Sequence, residues 1–250
     1  MARVICAGHC NWDVTLRVDD LPEPDGEATV REETGARGGS AANVASVLAG
    51  LGVDPAILAS VGDDDHGAAA LADLRAAGVD CGHVRVLAGA TTSVKYCVVA
   101  DDGRVMVLGH DGRNEAYDAS DLPAEALAGA DCLHLTGQAP ETAAGLARRG
   151  REAGLPVTFD PGRRITRRDY ADAIGLADLV FVNRAEADAL DLDALAAGYL
   201  AARLDGEPIP AALARANACG ALAARSVGPS GLVSPGAVAD LLAGETASSR

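Results

Sequence analysis

Short, continuous runs of apolar residues alternate along the chain with longer segments, rich in Ala and Leu, that have the period of a helix. The apolar runs predict buried β-strands at Arg3–Ala7, Ala56–Val61, Cys132–Leu135, Pro156–Asp160 and Leu179–Asn183. The intervening segments predict helices at Ala41–Gly50, Ala68–Ala77, Pro140–Ala153 and Ala194–Leu204. This alternation is typical of an α/β fold with a mainly parallel central sheet covered by helices on both faces. Ligands of such sheets bind beyond the carboxyl ends of the strands.

Four further stretches form two pairs that break the alternation, because no helical segment lies between the two members of a pair. They are Asp13–Val18 with Ala28–Arg37, and Thr91–Ala100 with Arg104–Gly109. The second pair flanks Asp101-Asp102-Gly103, a strong hairpin signal. We therefore expect a small antiparallel β lid, inserted at about 13–37 and 91–112 into a single domain that spans 1–250.

The composition excludes several classes of protein. Hydrophobic residues make up 49% of the chain, too many for a disordered protein, while aromatic residues make up only 3%. No apolar run approaches the roughly 18 residues that a membrane span needs. The first residues continue into a strand rather than a signal peptide, and the six cysteines form no CxxC pair. We expect a reduced, cytoplasmic protein without a membrane partner.

The charge balance is strongly acidic. The net charge is −15, and Lys95 is the only lysine among the 21 basic residues. Such a surface suits a halophilic protein, because concentrated salt screens the self-repulsion of the carboxylates. It also argues against a nucleic-acid partner, since no basic stripe is present to neutralise phosphates.

Two glycine-containing segments offer candidate binding residues. Gly38 and Gly39 precede a helix of small residues, where they permit close approach of a ligand to the backbone and to the helix N-terminal amides. Asn43 lies in the first turn of that helix. Asn11 and Asp13 follow the first strand and alternate in direction, so both can point into one cleft and bind the hydroxyl groups of a sugar.

Together these segments resemble the PfkB/ribokinase family of carbohydrate kinases. The resemblance continues through Gly62–Gly67, the Asp101–Gly103 hairpin, Phe159–Pro161, Asn183–Glu186 and Ala194–Gly220. It implies a ribokinase-like three-layer fold and transfer of a phosphoryl group from ATP to a sugar hydroxyl, with Mg²⁺. It also implies contact of His110 or Asn114 with the substrate, and a homodimer formed through the lid.

The resemblance assigns further roles to individual residues. Its sugar-binding positions correspond to Asn11, Asp13, Gly38, Gly39 and Asn43. Its nucleotide-binding positions correspond to Asn183, Glu186 and Asn217, with Glu186 acting indirectly on the metal. Its catalytic base corresponds to Asp193, which as an aspartate before a helix is equally suited to be an N-cap.

The chain departs from the family between Glu186 and Ala194. There the family has several dozen residues that end in a Gly-Ala-Gly-Asp motif, whose backbone amides form an anion hole. Here Leu190-Asp191-Leu192 precedes Asp193 directly. Loss of one preorganised donor costs roughly a hundred- to a thousandfold in rate, so the activity of this short chain is expected to be impaired.

Three alternatives are open at this stage. The chain is a catalytically inactive sugar-binding or regulatory homologue, or its acceptor is a nucleoside instead of a sugar. A nucleotide-binding Rossmann enzyme is disfavoured, because no GxGxxG follows the first strand.

Overall fold

The computed structural model describes residues 1–182, 186, 201–202, 205–224 and 234–243. The chain divides into two compact units, Met1–Tyr117 and Asp118–Arg250. The single domain expected from the sequence stays a prediction.

The first unit contains seven described strands and two helices. The strands are β1 (Arg3–Ala7), β2 (Asn11–Val18), β3 (Val30–Gly38), β4 (Asp54–Gly62), β5 (Asp80–Leu87), β6 (Val94–Ala100) and β7 (Val105–His110). The helices are α1 (Ser40–Gly50) and α2 (Asp65–Ala76). Strand β4 lies between β1 and β5 and pairs with both in parallel, as expected for buried apolar strands.

The core of this unit consists mainly of small aliphatic side chains. Ala41, Ala42 and Ala45 of α1 pack against Ile57 and Ala59 of β4, and all five side chains are fully buried. Because alanines line this face of α1, the helix lies close to the sheet with little side-chain entropy lost on folding. The low aromatic content of the chain is thus matched by the core that the structure shows.

Strands β3, β2, β6 and β7 form a separate four-stranded sheet in that order, which we call the lid. The pairs β2·β3 and β6·β7 are antiparallel, as predicted, but β2 and β6 run parallel. The expectation of a wholly antiparallel lid was therefore wrong. A hairpin fixes the direction only of the strands that it joins, and the long connection between β3 and β6 allows a parallel pairing.

The second unit has three described parallel strands and five described α-helices, besides two short 3-10 helices at Ala119–Asp121 and Gly162–Thr166. The strands and α-helices are β8 (Cys132–Thr136), β9 (Val157–Asp160), β10 (Leu179–Val180), α3 (Ala124–Ala128), α4 (Pro140–Glu152), α5 (Ala171–Leu176), α6 (Ile209–Ala224) and α7 (Pro235–Leu242). Strand β9 lies between β8 and β10. Asn183 and most of the helix predicted at Ala194–Leu204 lie outside the described residues. No helix in the described ranges is long and apolar enough to cross a membrane.

Candidate functional site

The turn after β1 brings two asparagines together in the first unit. Strand β1 ends at Ala7, and β2 begins only four residues later at Asn11. Asn11 is buried, and its Oδ1 accepts a hydrogen bond of 3.1 Å from Nδ2 of Asn114, which is also buried. This bond fixes the orientation of the Asn11 amide. Asn114 follows strand β7, so this bond links the segment after the lid hairpin to the start of β2.

Asp13 lies two residues further along β2, and its carboxylate is half-buried. Among the described residues, Oδ1 of Asp13 is fully enclosed and accepts no hydrogen bond. Burial raises the pKa of Asp13, and the positive charge of Lys95 partly opposes that rise. A buried carboxylate oxygen without a donor is costly, so this atom is suited to accept a hydrogen bond from a bound hydroxyl group.

Gly38 is the residue that makes room for this carboxylate. It pairs with Asn11 across β2 and β3, and a Cβ at position 38 would overlap all three carboxyl atoms of Asp13. The role of Gly38 as a point of close ligand approach stays a prediction. The structure shows that the missing Cβ of Gly38 leaves space for the side chain of Asp13.

Gly39 begins helix α1 in a conformation that side chains rarely adopt. Its φ is 94°, and a Cβ at this position would overlap the backbone carbonyl of His9. No side chain caps the helix, and the backbone N–H of Ala42 donates to that same carbonyl at 3.3 Å. The amides expected to be free are therefore partly used within the protein. Asn43 is exposed on the first turn.

His9 is a buried part of this turn that the sequence analysis did not select. Its Nε2 lies 2.7 Å from Oε1 of Glu115, and only 3% of the His9 side chain is exposed. The pair is separated by 106 positions in the sequence, so no local pattern reveals it. A histidine directly after a strand-end glycine was the one available signal.

The segment Gly62–Gly67 has a structural function. Asp64 caps α2 by accepting from the backbone N–H of Gly67 at 2.9 Å, and its other oxygen accepts from the N–H of Thr92 at 2.8 Å. The hydroxyl of Thr92 also donates to Asp64 at 2.5 Å. Asp64 thus ties the start of α2 to the chain that leads into β6.

A second set of candidate residues lies in the other unit. Asp160 ends β9, and Glu186 is buried. Burial raises the pKa of Asp160, the N–H of Gly162 opposes this rise, and the negative charge of Glu186 adds to it. The two carboxylates therefore lie close enough to interact. The described residues contain no cluster of three or more metal-ligating side chains.

The remaining predicted residues do not form part of a described site. Asn183 and Asp193 lie outside the described residues. Asn217 is buried in α6, and its Nδ2 donates to the carbonyl of Ala177 at 3.4 Å. The structure therefore brings together Asn11, Asp13, Gly38 and Gly39 in the first unit. In the second unit, Asp160 lies within electrostatic range of Glu186.

Comparison with known protein families gives a match over most of the described chain. The profile of the pfkB family carbohydrate kinases matches residues 1–190. The chain belongs to the PfkB family. Membership makes it an ATP-dependent phosphotransferase of the carbohydrate kinase class.

Named relatives of this PfkB chain share much of its length. An ATP-dependent ribose-1-phosphate kinase of Halopiger xanaduensis is 43% identical over 291 aligned positions, which cover 97% of this chain and 98% of that protein. A nucleoside kinase of Methanothermobacter thermautotrophicus is 26% identical, over 74% of this chain and 61% of its own length.

Solved structures confirm the ribokinase-like fold of the family. Ribokinase of Arabidopsis thaliana, in complex with ribose and ATP, superposes with a TM-score of 0.68 at 19% identity. The superposition covers 97% of this chain and 99% of that protein. The fold class inferred from alternating strands and helices is thus confirmed.

Proposed function

We propose that this chain transfers the γ-phosphoryl group of ATP to a hydroxyl group of ribose 1-phosphate. The Halopiger xanaduensis relative supports this substrate, because its 43% identity extends over almost the whole of both chains. The substrate class that follows is a phosphorylated pentose, which needs donors and acceptors for its hydroxyl groups and a positive charge for its phosphate.

The main structural support for the proposal comes from the carboxylate of Asp13. Its buried Oδ1 has no hydrogen-bond partner in the described part of the protein. A sugar hydroxyl that donates to this oxygen satisfies it, and the Asn11 amide, held by Asn114 at 3.1 Å, lies two residues away on the same strand. Fixed, directed hydrogen bonds of this kind orient a hydroxyl for in-line transfer.

The carboxylates of Asp160 and Glu186 fit a magnesium ion that is shared with nucleotide phosphates. Magnesium is commonly bound through one or two carboxylates together with phosphate oxygens. Burial is the main cause of the raised pKa of Asp160, and the negative charge of Glu186 adds to it, which supports a shared site. When bound, such an ion neutralises negative charge on the transferred phosphoryl group. Asn183 completes this set in our proposal, and Asn217 contributes to the nucleotide site through its position in α6.

Asp193 is proposed as the base that accepts the proton of the attacking hydroxyl. A carboxylate of ordinary basicity is sufficient when the hydroxyl is held in line and its negative charge develops late. The proposed loss of the Gly-Ala-Gly segment before Asp193 agrees with two findings. The family profile ends at residue 190, and the alignment of 291 positions exceeds the 250 residues of this chain.

Two other functions have specific support. A sugar-binding protein without turnover is favoured by the same shortening, because a kinase that lacks its anion hole retains its sugar site. A nucleoside kinase is favoured by the Methanothermobacter thermautotrophicus relative. The first alternative predicts no release of ADP, and the second predicts a phosphorylated nucleoside as the product.

The test is ADP release from ATP and Mg²⁺ at high salt with ribose 1-phosphate, ribose and a panel of nucleosides. We expect turnover with ribose 1-phosphate that is abolished in Asp193→Asn. The neighbouring substitution Asp191→Asn serves as the matched control and is expected to retain most of the activity. Binding of ribose 1-phosphate without ADP release would identify the non-catalytic homologue. Faster turnover of a nucleoside than of any sugar would favour the second alternative.

A further inference from the structure

Lys95 lies directly beside Asp13 in the lid. The two residues are paired in the parallel register of β2 and β6, so their side chains project from the same face of the sheet. Neighbouring strands lie about 4.8 Å apart. A single small ligand can therefore contact both side chains at once.

Gly109 provides the space in which the Lys95 side chain lies. It pairs with Lys95 across β6 and β7, and a Cβ at position 109 would overlap the backbone oxygen of Val94 and would lie only 2.7 Å from Cδ of Lys95. The lysine side chain therefore passes over Gly109, and Nζ donates to Oδ1 of Asp111 at 2.6 Å. Two glycines of the lid, Gly38 and Gly109, thus leave space for the side chains of Asp13 and Lys95.

The exposure of the Lys95–Asp111 ion pair favours replacement of Asp111 by a bound anion. Only 26% of the Lys95 side chain is exposed, whereas 64% of the Asp111 side chain is exposed. An ion pair with so exposed a partner contributes little to stability, so a bound anion can replace the carboxylate. The chain carries a net charge of −15, so an anion is repelled by the protein as a whole and needs a local positive group to bind.

We propose that Lys95 binds the phosphate of a phosphorylated sugar whose hydroxyl groups are bound by Asp13. Asp111 holds the ammonium group in place until the ligand arrives and is then displaced. This inference rests on the proposed function and deepens it, because it assigns the discrimination between a phosphorylated and a neutral sugar to one residue. The charge of Lys95 offsets the repulsion between the phosphate and the Asp13 carboxylate.

The test compares ribose 1-phosphate with ribose by calorimetric titration, without ATP, in the whole chain at one fixed salt concentration. In Lys95→Met we expect the dissociation constant for ribose 1-phosphate to rise roughly tenfold or more, while that for ribose changes less than about twofold. Lys95→Arg keeps the charge and should retain most of the discrimination. In Asp111→Asn the competing carboxylate is absent, and ribose 1-phosphate should bind about two- to fivefold more tightly.

Arg17→Met is the matched control, because Arg17 lies on the same strand and face as Asp13, four residues away, and pairs with Glu32 at 3.5 Å. It should leave both titrations unchanged. Equal weakening of both ligands in Lys95→Met, or no weakening, would overturn the inference, as would a wild-type chain that binds ribose but not ribose 1-phosphate. Because binding is measured without ATP, the two proposals can fail separately. A chain that binds ribose 1-phosphate through Lys95 but releases no ADP would contradict only the proposed kinase reaction.

Discussion

At the scale of single residues, the candidate sugar site depends on where side chains are absent. The carboxylate of Asp13 occupies the volume that a Cβ of residue 38 would fill, and the carbonyl of His9 occupies the corresponding volume at residue 39. Only the second glycine also has a positive φ, of 94°. The two adjacent glycines therefore have different functions. Gly38 positions a functional group, whereas Gly39 permits the backbone geometry of the turn.

This difference predicts opposite outcomes for two alanine substitutions. Gly38→Ala should push the flexible Asp13 side chain away and weaken ribose 1-phosphate binding roughly tenfold or more, with a change in unfolding free energy below about 1 kcal/mol. Gly39→Ala forces a side chain into the left-handed region against a backbone carbonyl and should cost about 1–3 kcal/mol of stability. Guanidinium denaturation and sugar titration of both variants measure these effects. A Gly38→Ala protein with unaltered binding would contradict the positioning of Asp13 by this residue.

At the scale of elements, the apolar runs were sufficient to predict most strands but not their edges. Ile57 and Leu58 are fully buried and mark β4 clearly. Strand β5 was missed, because Asp80, Gly82 and Arg85 interrupt its apolar pattern, as is common for an edge strand, which β5 is among the described strands. A run of apolar residues reveals a strand that is buried on both faces. An edge strand such as β5 is only half-buried and therefore lacks such a run.

Pairing between distant elements could not be predicted for a different reason. The contact of β2 with β6 and that of His9 with Glu115 join positions far apart in the sequence. A period in the sequence carries no information about such partners. Asn11 and Asp13 were predicted from local motifs and from the resemblance to the family. The contacts of Asn114 with Asn11 and of Gly38 with Asp13 depend on the fold and could not be predicted from the sequence.

The attachment of α2 to the chain before β6 can be tested through Asp64. Burial opposes its ionisation, but hydrogen bonds from Thr92 and Gly67 outweigh this and lower the pKa of Asp64. A lowered pKa means that the stabilisation is complete above the unfolded value of about 3.9 and is lost as the pH falls through the folded value. Asp64→Asn should cost about 1–3 kcal/mol of unfolding free energy at pH 7.

The control for this prediction is Asp65→Asn, since Asp65 is exposed in the first turn of the same helix. It should change stability by less than about 0.5 kcal/mol. Denaturation of the wild type and both variants at pH 7 and near pH 3 provides the comparison. A deficit in Asp64→Asn that stays constant as the pH falls below 4 would rule out ionised Asp64 as the source of the stabilisation.

At the scale of the whole molecule, the net charge of −15 dominates the response to salt. Repulsion among carboxylates destabilises the compact state, and screening shortens its range from about 10 Å at 0.1 M salt to about 3 Å at 1 M. We expect the thermal midpoint to rise by several degrees between 0.1 and 1 M KCl, on the order of 1 kcal/mol in stability. Differential scanning calorimetry across this range measures the rise.

A variant with fewer charges separates this effect from general salting-out. Glu23, Asp25 and Glu27 are exposed in the loop between β2 and β3. The triple variant Glu23→Gln, Asp25→Asn, Glu27→Gln should show a smaller increase with salt than the wild type. Identical increases in the two proteins would attribute the salt response to hydration rather than to charge.

The single lysine of the lid has a practical consequence for chemistry on this protein. Apart from the amino terminus, Lys95 carries the only primary amine of the chain, and it lies beside Asp13 on one face of the lid. An acylating reagent applied above neutral pH therefore modifies one internal position. Because acylation removes the positive charge of Lys95, the modified protein should bind ribose 1-phosphate more weakly, and bound ribose 1-phosphate should protect this lysine from the reagent.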